Sequence, residues 1–282
     1  MFFSVLFSLL LSSASAQQLT GSAVCNEIAS NVTGQVYYPT SLSPNFNTDI
    51  NHYFASSQQT PTCVVEVADI QDVSSVLQIV GSTRTPFSVV SGGHSSNQGF
   101  SSTVGVYISL VRINQIEFSA DQSTIEVGLG NIWTDVYSAL NGTGYNLVGG
   151  RVPGPGTGGF TLGGGYSWLT NQYGLTCDTT QSYNLVLPNG TITLVDETKP
   201  DLFFALKGGL NRFGIVTSIN YKSVPQPNLI YGGIRILPTS AVPALNNATA
   251  VFQNTNTDPK AQVIYTINGA PNKSSASPAS SC

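Results

Sequence analysis

Charged residues are scarce in this chain of 282 residues: they make up 9% of it, and the net charge is −4. A nucleic-acid-binding surface needs a basic stripe. The sequence contains no such stripe and no acidic tail, so we expect no nucleic-acid partner. Uncharged polar residues take the place of the missing charges, and that composition is typical of a secreted, glycosylated surface.

Long apolar runs are absent beyond the first residues, whereas a membrane helix needs roughly 20 apolar residues in a row. Residues 1–11 form a short apolar segment, and Ala14-Ser15-Ala16 follow it. Such a segment before small-x-small residues is typical of a secretory signal peptide. We therefore predict a signal at residues 1–16, an extracellular location and no membrane association of the mature chain.

The secretory route predicts two modifications. A disulfide between Cys25 and Cys63 would close an N-terminal arm onto the domain, with a loop-entropy gain of roughly 4 kcal/mol; two buried thiols are the alternative. Asn-x-Ser/Thr sequons accept glycans in secreted proteins. They occur at Asn31, Asn141, Asn189, Asn247 and Asn272.

Metal ligands are few, with four cysteines and two histidines in the whole chain. Their spacing matches no zinc motif, so we predict no metal site. Cys177 has no basic or imidazole neighbour in the sequence that would lower its pKa. It is predicted to be a small buried residue and not a nucleophile.

Hydrophobic periodicity predicts an α+β fold, because paired strands and separated helices alternate irregularly. Strands are expected at 63–67, 87–90, 104–110, 124–129, 185–187, 191–195 and 214–221. Helices are expected at 72–80, 132–140 and 200–207.

Changes in composition divide the chain into segments. After the signal, the segments are an N-terminal arm (17–57), a main domain (58–226), the start of an incomplete second domain (227–271) and a disordered tail (272–282). The arm is polar with little periodicity, so we expect no regular structure before Cys63 and a surface position for His52. Strand-like pieces at 229–237 and 262–267 would open the second domain.

A histidine within a glycine turn is the first candidate site. The strand at 87–90 leads directly into Ser91-Gly92-Gly93-His94-Ser95. Glycines permit the backbone conformations in which successive amides point inward to bind an anion. The turn therefore predicts a phosphate-bearing cofactor with an imidazole at its rim; an ordinary strand-end turn with a surface histidine is the alternative.

A second glycine-dense stretch extends from Gly149 to Gly165 and contains nine glycines. Bulky apolar residues interrupt it, so it is predicted to be packed and not a flexible linker. Its glycines would allow the backbone to approach a flat ligand closely. The stretch does not match the G-x-G-x-x-G dinucleotide fingerprint, which disfavours a Rossmann site.

Several sequence blocks closely resemble secreted flavin-linked oxidases of the vanillyl-alcohol-oxidase type, in the branch of berberine bridge enzyme and glucooligosaccharide oxidase. Their order and spacing agree over residues 58–226. The matching blocks are 90–95 (VSGGHS), 158–166 (GGFTLGGGY), 173–175 (YGL) with Asp178, 201–209 (DLFFALKGG) and 213–217 (FGIVT).

The resemblance implies a PCMH-type FAD-binding domain of two α+β subdomains. It implies extended FAD with its pyrophosphate on the first glycine turn and its 8α-methyl group bonded to His94. The cofactor-binding residues implied are Ser91, Gly92, Gly93, His94, Ser95, Pro153, Gly158, Gly159, Gly164, Tyr166 and Val216.

Two departures from the family pattern affect these expectations. Bicovalent relatives carry a flavin-linking cysteine before the second glycine block, but residues 150–153 contain no cysteine, so a single histidyl link is expected. Relatives also continue well beyond this chain's last residue, which predicts a C-terminally truncated member.

The function expected from the resemblance is oxidation of an alcohol, sugar or amine carbon. Hydride would pass to FAD, and oxygen would accept the electrons and yield hydrogen peroxide. The partners would be a small-molecule substrate and oxygen, and the protein would be a monomer. Tyrosine is a weak base at neutral pH, so Tyr166 and Tyr173 are assigned packing roles, in the core or against the cofactor, and the catalytic base stays unassigned. The alternative is a truncated, non-catalytic secreted glycoprotein that keeps the fold.

Overall fold

The computed structural model describes residues 21–39, 43–210 and 212–267. Its first sheet contains β1 (Gln35–Tyr37), β2 (Cys63–Glu66), β3 (Phe87–Val90) and β4 (Val106–Ser109). The strand order is β1-β2-β4-β3, with β1 antiparallel to β2 and the other neighbours parallel. The predicted signal at 1–16, the Asn272 sequon and the tail at 272–282 lie outside the described residues.

Helix α3 (Ile70–Thr83) connects β2 to β3, as a parallel strand connection requires. Asp69 caps the helix by accepting a hydrogen bond from the Asp72 amide. The Asp72 carboxylate accepts the amides of Thr33, Gly34 and Ala68. This one buried side chain therefore joins the N-terminal segment to the start of the helix.

The second sheet is entirely antiparallel, in the order β5-β6-β10-β8-β9. Its strands are β5 (Ile116–Phe118), β6 (Thr124–Gly128), β8 (Thr180–Val186), β9 (Ile192–Val195) and β10 (Ile215–Lys222). A short ribbon pairs β7 (Tyr145–Asn146) with β11 (Val224–Pro225). The helices of this part are α4 (Trp133–Leu140), α5 (Thr157–Leu162), α6 (Thr170–Tyr173) and α7 (Pro200–Leu206).

One hydrophobic core extends across both sheets, with a small second cluster on the other face of the first sheet. Buried side chains of α3 and β2 belong to the same core as Trp133, Leu185 and Ile219. The two sheets are therefore packed together, and the predicted α+β fold is confirmed.

The prediction that regular structure starts only at Cys63 is wrong. Helix α1 (Gly21–Ala29), β1 and α2 (Pro44–Asp49) all precede Cys63. Val24, Cys25 and Ile28 are fully buried on one face of α1. Cys25 is bonded to Cys63 in a disulfide, so the helix is joined covalently to β2. The helix was missed because the segment is mostly polar. Its apolar face consists of only three buried residues, one of which is the disulfide-bonded Cys25.

The strands expected at 229–237 and 262–267 do not form, and this prediction is also wrong. Both segments are irregular and largely exposed; Tyr231 is 101% and Ile236 is 92% exposed. A strand needs a partner for its backbone groups, and neither segment pairs with another strand among the described residues. Helix α8 (Val242–Thr255) lies between them and was not predicted.

None of the helices within the described ranges is both long enough and apolar enough to cross a membrane.

Candidate functional site

A cavity of about 670 Å³ opens between the two sheets. Its wall includes parts of α3 and β3, the glycine turn after β3, the second glycine block and the start of β10. This volume lies in the usual range of small-molecule sites. Eight of the eleven predicted cofactor-binding residues line it: Ser91, Gly92, Gly93, His94, Ser95, Gly158, Gly159 and Val216.

The glycine turn at the cavity wall carries main-chain amides without a protein acceptor. Gly93 has a φ of 61°, in the left-handed region that glycine favours. The main-chain amides of residues 92–96 donate to no acceptor within the described ranges. Free amides following one another along a turn form an anion-binding nest, so the turn can bind a phosphate group.

The two glycine loops contact each other directly. A Cβ atom on Gly92 would lie 2.2 Å from the nitrogen of Gly156. The Ser91 hydroxyl accepts the Gly158 amide of the second loop at 3.3 Å and donates to the Leu129 carbonyl at 2.5 Å. The second block is therefore packed, as predicted, and any side chain at position 92 would force the loops apart.

His94 lies at the edge of the cavity and is half-buried. Its Nε2 atom lies 3.1 Å from the position that a Cβ atom on Gly154 would occupy. Loss of solvent lowers the pKa of His94 below the ordinary value of 6.5. Burial therefore favours the neutral imidazole, which carries a nucleophilic nitrogen.

Three predicted cofactor contacts, Pro153, Gly164 and Tyr166, do not line this cavity. Pro153 borders a separate depression of about 380 Å³ beside Tyr137. The Arg151 guanidinium lies 4.8 Å from the centre of the Tyr166 ring, which is 44% exposed. A core role for Tyr166 is therefore wrong, whereas its contact with the cofactor remains a prediction.

Sequence reasoning missed several groups at the site. His52, expected at the surface, is only 5% exposed and lies against Gly93. Arg212 is the one charged residue among the described residues that line the cavity. Neither residue belongs to a recognisable motif, so only its proximity in the fold reveals it.

Two buried hydroxyls bordering the cavity also lack protein partners. The Oγ atoms of Ser88 and Ser101 are enclosed and make no hydrogen bond within the described ranges. A buried polar atom without a partner is costly, so these hydroxyls fit a polar ligand in the cavity. Together with the free amides and the neutral imidazole, they fit a phosphate-bearing dinucleotide such as FAD.

Comparison with known proteins supports the same cofactor. Residues 61–196 match the family described as "FAD binding domain". An uncharacterized FAD-linked oxidoreductase from Arthroderma benhamiae is 37% identical over 234 residues, which are 81% of this chain and 47% of that protein. An FAD-dependent monooxygenase from Aspergillus niger is 40% identical over 73% of this chain and 37% of its own length.

Among solved structures, 6-hydroxy-D-nicotine oxidase from Arthrobacter nicotinovorans matches with a TM-score of 0.65 and 28% identity. The match covers 70% of this chain and 43% of that structure. The chain thus spans about half the length, or less, of the relatives it matches. Residues 61–196 form a PCMH-type FAD-binding domain, and the chain is similar to part of longer FAD-linked oxidoreductases.

Proposed function

We propose that this chain binds FAD in the cavity lined by the two glycine loops. We further propose that the protein is a secreted oxidase. The free amides of residues 92–95, in the turn that lines the cavity and carries His94, are the observation that carries the proposal. The amides would bind the diphosphate. His94 would form a single covalent link to the 8α carbon of the cofactor.

Arg212 would complement the amide nest. A diphosphate carries negative charge, and the cavity offers this one cation among the described residues. A guanidinium binds phosphate oxygens through several N–H donors. Arg212 is exposed at the cavity edge, so its contribution to affinity should be modest.

Bound FAD would accept a hydride from an alcohol, sugar or amine carbon and pass two electrons to oxygen. The contribution of the chain is to hold the cofactor, exclude water from one side of it and orient His94. Relatives with both oxidase and monooxygenase names support the oxidoreductase class. Oxidase chemistry is favoured here because the similar solved structure is named as an oxidase.

Secretion belongs to the same proposal. The disulfide between Cys25 and Cys63 fits an oxidising compartment. The four sequon asparagines in the described ranges are all exposed: Asn31, Asn141, Asn189 and Asn247. Digestion of the secreted protein with an endoglycosidase should lower its apparent mass, and an unchanged mass would argue against this part of the proposal.

Acid precipitation of the purified chain tests the cofactor assignment. Flavin bonded to protein stays in the pellet, whereas non-covalently bound flavin appears in the supernatant. We expect yellow protein with fluorescent pellets, and His94→Ala should move the flavin to the supernatant. A colourless preparation that binds no added FAD would refute the proposal.

Oxygen consumption distinguishes the two reaction classes. Sugars, aromatic alcohols and amines would be supplied as candidate substrates. An oxidase forms one hydrogen peroxide for each oxygen consumed, whereas a monooxygenase transfers one atom of labelled oxygen to the product. Equal amounts of peroxide and consumed oxygen are expected, and label in the product would favour the monooxygenase class.

A further inference from the structure

Two consecutive residues of the N-terminal segment, His52 and Tyr53, contact the turn that carries His94. Their contacts are of different kinds: His52 packs against the backbone of the turn, whereas Tyr53 packs against the imidazole itself. The function proposed above uses neither residue.

His52 fixes the position of the backbone. A Cβ atom on Gly93 would lie 2.9 Å from Cδ2 of the His52 ring, which leaves no space between them. The Tyr107 hydroxyl donates to the Asp49 carbonyl at 2.8 Å, so its oxygen is left to accept from His52 Nε2 at 3.1 Å. His52 is therefore oriented by a buried strand residue.

Tyr53 fixes the imidazole. Its ring stacks on the His94 ring with centroids 4.2 Å apart and planes inclined by 17°. The Tyr53 amide donates to the Gly93 carbonyl at 3.1 Å. Tyr53 is nevertheless 70% exposed, so burial of its own surface does not explain why a large aromatic ring lies here.

We propose that Tyr53 is a positioning residue for His94. The stack covers one face of the imidazole and restricts rotation of the ring, while His52 fixes the backbone that carries it. His94 Nε2 stays close to Gly154, at the contact between the two glycine loops. This inference rests on the proposed function, because its consequence is faster bonding of His94 to FAD.

The bonding step needs a well-oriented nitrogen. A bond forms between the imidazole nitrogen and the 8α-methyl carbon, while the imidazole N–H bond and one methyl C–H bond break. Two protons and two electrons are released in total, and dioxygen takes them up as hydrogen peroxide. Holding the two reacting atoms in alignment accelerates such a step, and a freely rotating ring would lose that advantage.

The test compares three variants of the full chain. Tyr53→Leu removes the stack but keeps an apolar side chain, and Tyr53→Phe keeps the stack. Phe54→Leu is the matched control, because Phe54 is also exposed and contacts Tyr53 at its edge. Each protein is produced in a riboflavin-starved host as apoprotein and then mixed with FAD, and acid-stable flavin is measured over time.

We expect Tyr53→Leu to attach flavin about tenfold more slowly, which corresponds to about 1.4 kcal/mol. Tyr53→Phe and Phe54→Leu should match the wild type, and all four proteins should share one unfolding temperature. Attachment by Tyr53→Leu at the wild-type rate would overturn the proposal. Equal slowing in Phe54→Leu would also overturn it, because the effect would then be general.

A second readout needs no flavin. The chain has two histidines, so His52→Asn assigns the imidazole proton resonances of His94. A stacked tyrosine ring shifts those resonances upfield; Tyr53→Leu should abolish this shift and Tyr53→Phe should keep it. Absence of the shift in the wild type would overturn the stack, even if acid-stable flavin forms. Loss of all acid-stable flavin with the shift present would instead refute the tether in the proposed function.

Discussion

At the scale of single residues, the site depends on backbone atoms that approach one another closely. Gly92 and Gly156 are so near that a Cβ atom on either one would collide with the backbone of the other. Gly93 adopts a left-handed conformation and also packs against His52. The glycines thus serve the contact between loops as well as access to the ligand.

Gly92→Ala should therefore lower both stability and flavin content. Forcing a methyl group into this contact costs about 1–3 kcal/mol. Urea unfolding and the ratio of flavin to protein absorbance measure the two effects. Gly232→Ala is the control, because a Cβ atom there meets nothing within 4 Å. Equal behaviour of the two variants would contradict the contact described between the loops.

Asp49 predicts a pH dependence of stability. Burial is the main cause that raises its pKa from 3.8 to about 7, and the nearby Glu66 adds to the effect. The folded state then holds a proton that the unfolded chain releases near pH 4. The contribution of this carboxyl group to the free energy of unfolding is therefore greatest below pH 4, and it decreases as the pH rises to 7.

Urea unfolding between pH 4.5 and 7.5 measures this effect. Each unit of pKa shift is worth about 1.4 kcal/mol, and partial exposure of Asp49 will reduce the observed value. The lowered pKa values of His52 and His94 have the opposite slope, since stability from a neutral histidine is lost as the pH falls. The difference between wild type and Asp49→Asn isolates the carboxyl group; no change in that difference with pH would contradict the assignment.

Sequence reasoning identified His94 because its turn is a contiguous motif after a recognisable strand. It could not identify His52 or Tyr53, since nothing in a polar segment indicates which turn the segment packs against. Arg212 was missed for the same reason. Pro153 and Tyr166 were assigned from the family pattern, yet they lie outside the cavity.

At the scale of elements, the disulfide links α1 to the first sheet. The two cysteines are 38 residues apart, and the segment between them contains β1, α2, His52 and Tyr53. The bridge therefore closes the loop that positions His94. The sequence predicted this bridge from the export signal but missed α1, whose buried face comprises only three residues.

Replacing Cys25 and Cys63 together with alanine should lower stability by about 4 kcal/mol in the loop-entropy model. A reducing agent should lower the unfolding temperature of the wild type and leave that of the double variant unchanged. Cys177→Ala is the control, because this buried thiol forms no disulfide within the described part of the chain. A response of the double variant to the reducing agent would contradict the account.

At the scale of the whole molecule, the cavity lies between two sheets that share one core. The sequence predicted most strands correctly and the α+β class with them. It could not predict the joint cavity, because α3, β3 and β10 meet there from distant parts of the chain. The prediction of strands after residue 226 was wrong, because the sequence pattern indicates a strand without showing whether a partner strand exists.

Arg212 is the one charged residue among the described residues that line the cavity, so its replacement should measurably weaken the binding of FAD. Arg212→Gln should weaken FAD binding by roughly fivefold, or about 1 kcal/mol, as an exposed ion pair predicts. Fluorescence titration of His94→Ala apoprotein, which cannot form the tether, measures the affinity. Lys222→Gln, made in the same background, removes one positive charge outside the cavity and should have no effect. Equal weakening in both variants would indicate a general charge effect.

Peptide mass spectrometry of the purified wild-type protein tests the central claim most directly. We predict that the peptide containing His94 carries the mass of FAD, or of its flavin remnant after digestion, and that fragmentation assigns the added mass to the imidazole. Flavin found on another residue, or an unmodified His94 in a protein saturated with FAD, would contradict the account.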